Sequence, residues 1–343
     1  MNQLLKSCKE TFRELLLDFL WRQLSALGVA GHAESAGPRA IDPEALIVFT
    51  ASIGRHDSRL FDEAIDWMQS NGAFLNVQRL NTICKSEPFT GGRALSAIAG
   101  VLGKGAEALK WKRLAKNLQQ AAPSNPEPFF FLFNGRPMPH YKESDPHFLT
   151  YGFIRSPLQL RGLSRRFQPT KSTTLWLQLR ALFGINARCE IILYLLSHES
   201  GHPSQIAREA YFFQKTVQDT LVDMLASGVV DYEQRGKEKH YWIKKDSWLH
   251  LLNREDQKPE WVTWPPLFSA LERIWLKLNQ TDFSTMDQLL ASSELRKLMM
   301  EVKPAIQRAG FAKALSDEHQ YLGEDYTEVF VRDLENLMKA LVA

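Results

Sequence analysis

The sequence predicts a mainly α, multi-domain chain with a central unit of three helices followed by a β-hairpin. Three observations predict this. Apolar residues recur at helical spacing over most of the 343 residues. Two alternating segments, 229–234 and 239–243, flank a short charged turn. A run of prolines from Pro123 to Pro169 interrupts the helical pattern, because proline removes a backbone donor and clashes with the preceding turn. The expected division is a helical domain over 1–120, an extended, Pro-rich and basic crossover over 121–172, the central unit over 173–252 and a second helical domain over 253–343.

Composition excludes several classes. Hydrophobic residues make up 44% and charged residues 24%, which suits a globular chain and not a disordered one. The net charge of +3 alone favours no partner. Its distribution does: 151–253 holds 14 basic and 9 acidic residues, and 254–343 holds 11 and 15. Within 151–180, Arg155, Arg161, Arg165, Arg166, Lys171 and Arg180 occur with no carboxylate, a single-sign stretch that points to a polyanion. Cys8, Cys84 and Cys189 lie too far apart for a zinc ribbon and form no disulfide framework. Glu14, Asp18 and Arg22 break the first apolar segment, so it does not read as a signal peptide. No run approaches ~20 apolar residues, the length that spans a bilayer. A cytoplasmic protein with no membrane partner is expected.

In chain order, residues 3–27 repeat Leu, Phe and Leu on one helical face. Asp42, Pro43 and Glu44 form a helix start, with Asp as N-cap. Helices follow over 58–70, from Asn76, and over 93–102 and 106–118. Asn71 and Gly72 are read as a left-handed stop. The segment GVLGKG at 100–105 fails as a phosphate loop: Gly105 stands where Ser or Thr must hold magnesium. The FFFLF run at 129–133 reads as a buried strand or surface anchor. Past the central unit, Ser284 is a candidate cap, Pro304 a candidate helix start, and 326–342 a final amphipathic helix.

The central unit is built as follows. Ile191, Ile192, Leu195 and Leu196 form the inner face of a helix over 185–198. Pro203 stops it, and Ser204 can cap the next helix, 204–210. The helix at 213–227 places Phe213, Val217, Leu221, Met224 and Leu225 on one stripe. Gln214, Lys215, Thr216, Gln218 and Asp219 are left outside. The hairpin then presents Arg235, Lys237 and Lys239 around Gly236, the position that needs positive φ. Helix, helix, helix, hairpin is the order of a winged helix. The residues SQIAREA, then FFQKTVQDTLVDMLASGVVDYEQRGKEKHYWI, resemble the winged helix of ArsR and MarR transcriptional regulators over about 65 residues. The resemblance implies a recognition helix at 213–227 and a wing at 235–239. The paired-cysteine motif of metal-sensing members has no match.

Such a helix fits the major groove. Gln214 and Gln218 can pair with adenine, Lys215 with guanine or phosphate, Thr216 with phosphate or a thymine methyl, and Asp219 with cytosine. Arg235, Lys237 and Lys239 would grip the backbone. His198-Glu199-Ser200-Gly201-His202 spells the HExxH of zinc hydrolases, but Gly201 and Pro203 oppose the single helix that motif requires. The expected function is therefore a non-enzymatic, DNA-binding transcriptional regulator. Its partners would be double-stranded DNA and a second copy joined through the helical domains, with no cofactor. The alternatives are a protein-interaction scaffold with a non-DNA-binding winged helix and a zinc hydrolase using HESGH.

Overall fold

The computed structural model describes every residue except 1, 32, 106, 119–121, 133–134, 140–142, 255–258, 284, 318–319 and 322. The first six helices are α1 (Asn2–Ala26), α2 (Pro43–Ile53), α3 (Ser58–Asn71), α4 (Val77–Ser86), α5 (Gly92–Leu102) and α6 (Ala108–Asn117). The crossover carries strand β1 (Glu127–Pro128), helix α7 (Pro146–Leu149) and strand β2 (Phe153–Ile154). Next come α8 (Leu175–Phe183), α9 (Ala187–Ser197), α10 (Pro203–Ala210), α11 (Gln214–Ala226), β3 (Asp231–Arg235), β4 (Glu238–Trp242) and α12 (Lys245–Leu251). The chain closes with α13 (Trp264–Gln280), α14 (Gln288–Arg308) and α15 (Tyr326–Val342). The fold is mainly α, as the periodicity predicts.

Local chemistry explains the helix starts. Asp42 accepts from the N–H of Glu44 and Ala45, both at 3.1 Å, and Pro43 opens α2. Asp57 and Asn76 cap α3 and α4 in the same way. Three details differ from the sequence reading. Gly72 is right-handed (φ −54°) and opens a short 3-10 turn, so α3 does not end in a left-handed stop. Pro304 lies inside α14 and does not begin a helix; its missing donor leaves the Met300 carbonyl without its usual helical partner. Asp287 is the cap of α14, accepting from Leu290 N at 2.9 Å, while Ser284 falls outside the described residues.

Residues 1–120 and 253–343, expected as two domains, pack into one continuous apolar core. Phe12, Phe19 and Phe49 of the first segment meet Trp264, Phe268 and Leu334 of the last. α1 lies against α15, and α2 against α13. The rings of Phe49 and Phe268 stack at 4.7 Å. A second, smaller core joins α8, α9, α10, α11, the hairpin and α12.

Described parts of the crossover pack along α3. Phe129 and Phe130 are buried against Phe61, and β1 pairs in parallel with β2. Phe133 lies outside the described residues. The basic stretch is corrected here: much of its charge is neutralised within the chain. Arg155 grips Asp62 with two bonds of 2.8 Å. Arg161 Nε donates to Glu63 at 2.6 Å. Arg180 is fully buried among carboxylates. The acidic partners belong to α2, α3 and α9, all outside 151–180, so a count over that stretch misses them.

Candidate nucleic-acid interface

The central unit is tied to the larger core by a buried ionic cluster. Arg180 of α8 donates to Glu44 of α2 at 2.6 and 2.8 Å and to Glu190 of α9 at 2.7 Å. Arg79 of α4 donates to Asp42 at 2.6 and 2.7 Å, to Glu44 at 2.9 Å and to the Ala210 carbonyl at 2.8 Å. Burial alone would push the Glu44 carboxyl up, but Arg180 and Arg79 hold it below the ordinary range. The Arg79–Ala210 bond reaches the end of α10, so the cluster sets where α11 begins.

Between α9 and α10 the chain is extended. Gly201 and Tyr241 of β4 exchange two backbone bonds of 2.9 Å, adding one residue pair to the hairpin edge. Glycine is required by close approach: a Cβ there would lie 2.7 Å from a ring carbon of Tyr194 and 2.9 Å from Ile206. Gly201→Ala is expected to destabilise the unit by about 1–3 kcal/mol through overpacking. Chemical denaturation of the variant checks this, and an unchanged midpoint would refute it.

The two histidines of HESGH lie on different elements. His198 ends α9 with extended dihedrals (φ −120°, ψ 154°), stacks on Tyr194 at 3.9 Å, and its Nδ1 meets the Tyr194 carbonyl at 2.9 Å. His202 is the N-cap of α10, a role expected of Ser204; its Nδ1 accepts from Ser204 N at 3.3 Å. No group of three metal-type ligands occurs among the described residues.

α10 ends on Tyr211 in the left-handed region (φ 59°). Tyr211 is buried and its hydroxyl donates to Glu87, which helps hold this strained residue. α11 follows. Val217, Leu221 and Met224 are buried, as predicted. Phe213 is not: placed on the inner stripe by its spacing, it is 79% exposed at the head of the helix. The reason is that Phe213 has extended dihedrals and precedes the first helical residue, so it leaves the stripe that continues along α11.

Gln214, Lys215, Thr216, Gln218 and Asp219 are all exposed on α11, and Arg235, Lys237 and Lys239 are exposed on the hairpin. Both groups rest on one core, where Val217 and Leu221 join Val230 and Tyr241. No hydrogen bond or ion pair links the two groups. Arg235 pairs with Glu238 across a tight turn in which Gly236 has φ 61°, the conformation expected for it. Lys215 meets Asp219 at 2.8 Å, Arg235 meets Glu233, and Lys239 lies 4.3 Å over the Tyr232 ring. Exposed pairs like these are worth only ~0–1 kcal/mol, so a phosphate can displace the carboxylates. Lys237 has no ion-pair partner among the described residues. Across the hairpin Asp231, Glu233 and Glu238 balance Arg235, Lys237 and Lys239. The hairpin is therefore electrostatically close to neutral, which its list of cations alone conceals.

Beside the hairpin base lies a cleft of about 390 Å³, lined by Val229, Val230, Trp242, Ile243, Trp248 and Leu251 among others. Sequence reasoning missed this cleft, the Gly201 pairing and the ionic cluster; only the HESGH turn drew attention to one of these places. Comparison with family models, curated proteins and solved structures finds no match for this chain.

Proposed function

We propose that the central unit is a winged helix of the ArsR/MarR kind and that the chain binds double-stranded DNA as a transcriptional regulator. One observation carries the reading: the polar side of α11, from Gln214 to Asp219, is exposed at the start of the third helix and uncovered by any other part of the chain. The Gly201–Tyr241 bridge supports it, since it ties the turn between α9 and α10 to the edge of the hairpin. Gln214 and Gln218 would read base edges, Lys215 and Thr216 would meet bases or phosphates, and Lys237 would hold the backbone. The near-neutral surface favours a homodimer, because two half-sites multiply a weak contact. No helix among the described residues is long and apolar enough to cross a membrane.

The second reading, protein docking, draws on the balanced hairpin charge and the apolar cleft flanked by exposed Val229 and Leu251. Selection from random duplexes separates the two. DNA reading predicts an enriched sequence, and about 1–3 kcal/mol of lost discrimination at one base pair in Gln218→Ala. Lys237→Ala should weaken every sequence alike. Absence of any enriched sequence would rule out specific reading by α11.

A further inference from the structure

We propose that the outer face of α6, together with Arg165 and Arg166, forms a second surface that holds the phosphate backbone of duplex DNA, independent of α11 and the hairpin. The sequence ALKWKRLAKN contains four cations and no carboxylate. Trp111 and Leu114 turn inward and are buried, which leaves Lys112, Arg113 and Lys116 exposed. The Asn71–Gly72 turn brings the two parts together. Lys110 Nζ donates to the Gly72 carbonyl at 2.6 Å, and Asn71 Nδ2 donates to the Arg165 carbonyl at 3.1 Å. Arg165 and Arg166 are exposed there.

None of these five side chains has an ion-pair partner among the described residues. The nearby carboxylates are already committed. Glu63 takes Arg161, Glu107 takes Lys110, and Asp66 accepts from the N–H of Gly162 and Ser164 at 2.9 and 3.0 Å. The uncompensated charge of the basic middle segment thus survives at Arg165 and Arg166, and α6 extends it. A patch of one sign with no competing carboxylate attracts a polyanion.

The chemistry of the patch selects among polyanions. Interfacial membrane helices need a continuous apolar face for the bilayer, and on α6 that face is spent on the core; the exposed large apolar side chains beside the cations are Leu109 on α6 and Leu163 on the crossover, which share no helix face. Single strands need exposed aromatic rings for stacking. Among the described residues the markedly exposed aromatics, Phe213 and Tyr232, belong to the central unit. What remains is phosphate contact without base reading, as on a duplex.

The test uses the full chain and a duplex of about 30 base pairs of random sequence, titrated over a range of salt. Five phosphate contacts correspond to a slope of about −4.5 in log affinity against log salt. The triple variant Arg113→Ala/Lys116→Ala/Arg166→Ala should flatten the wild-type slope by about 2.7, with its melting transition unchanged. An unchanged slope in the folded variant overturns the proposal, as does binding to phosphatidylserine vesicles that matches binding to DNA. Loss of affinity in the triple variant but not in Lys237→Ala sustains this surface and counts against the hairpin. The reverse pattern does the opposite. A wild-type chain that binds no duplex at all overturns both.

Discussion

Arg180→Met is expected to lower the stability of the protein by about 3–5 kcal/mol at pH 7, the cost of removing one member of a buried ionic cluster. Arg180 bridges Glu44 and Glu190, both essentially inaccessible to water. Without it, Arg79 alone would face Asp42, Glu44 and Glu190, three carboxylates against one cation. Methionine keeps the apolar stem and removes the guanidinium, so the main loss is that of the cation and its hydrogen bonds. That makes it pH-dependent with a definite sign. Buried carboxylates stripped of their cation have raised pKa values, so the variant takes up protons that the wild type does not. Its deficit is largest at neutral pH and shrinks as pH falls through those raised values. Urea unfolding at pH 7 and pH 5 measures it. A deficit below about 1 kcal/mol, or one that does not shrink with acid, would show that water reaches the cluster.

Acidification should also cost stability through His56. Its Nε2 accepts from Trp275 Nε1 at 3.1 Å, which only a neutral ring can do. Burial, with the positive charges of Arg13, Arg55 and Lys9, pushes its pKa down from 6.5 to about 4. The unfolded chain therefore binds more protons than the folded one between these values. The contribution is fully present above pH 6.5 and is lost as pH falls toward 4. The loss is about 3 kcal/mol, at 1.36 kcal/mol per unit. In His56→Gln a neutral amide oxygen can accept from Trp275 at any pH, so the variant should lack this part of the slope. Parallel pH–stability curves for wild type and variant would refute the assignment.

Much of the local structure was legible in the residues. Asp42, Pro43 and Glu44 announce α2, and the last helix, 326–342, follows from Phe330, Leu334, Leu337 and Leu341. The order of α9, α10, α11 and hairpin was also readable, because each element carries its own apolar period and its own stop. The exposure of Gln214, Lys215, Thr216, Gln218 and Asp219 followed from the same period. Phe213 escaped because a period continues past the point where a helix begins.

Sequence thus determined what neighbours within a few turns can decide: the caps Asp42 and Asn76, the helical periods, the turn glycine Gly236 and the polar side of α11. The start of α10 at His202 and the right-handed Gly72 escaped it. Tertiary structure decided which charges are free. Arg155 and Arg180 looked like parts of a surface and are buried salt partners. Arg113 and Lys116 looked unremarkable and stand exposed, with no ion-pair partner among the described residues. It also decided that the two ends of the chain share one core. The physical reason is range. Helical propensity and capping act through atoms a few residues apart, whereas the fate of a charge depends on carboxylates up to 136 residues away, as for Arg180 and Glu44. Only packing brings those within a hydrogen bond.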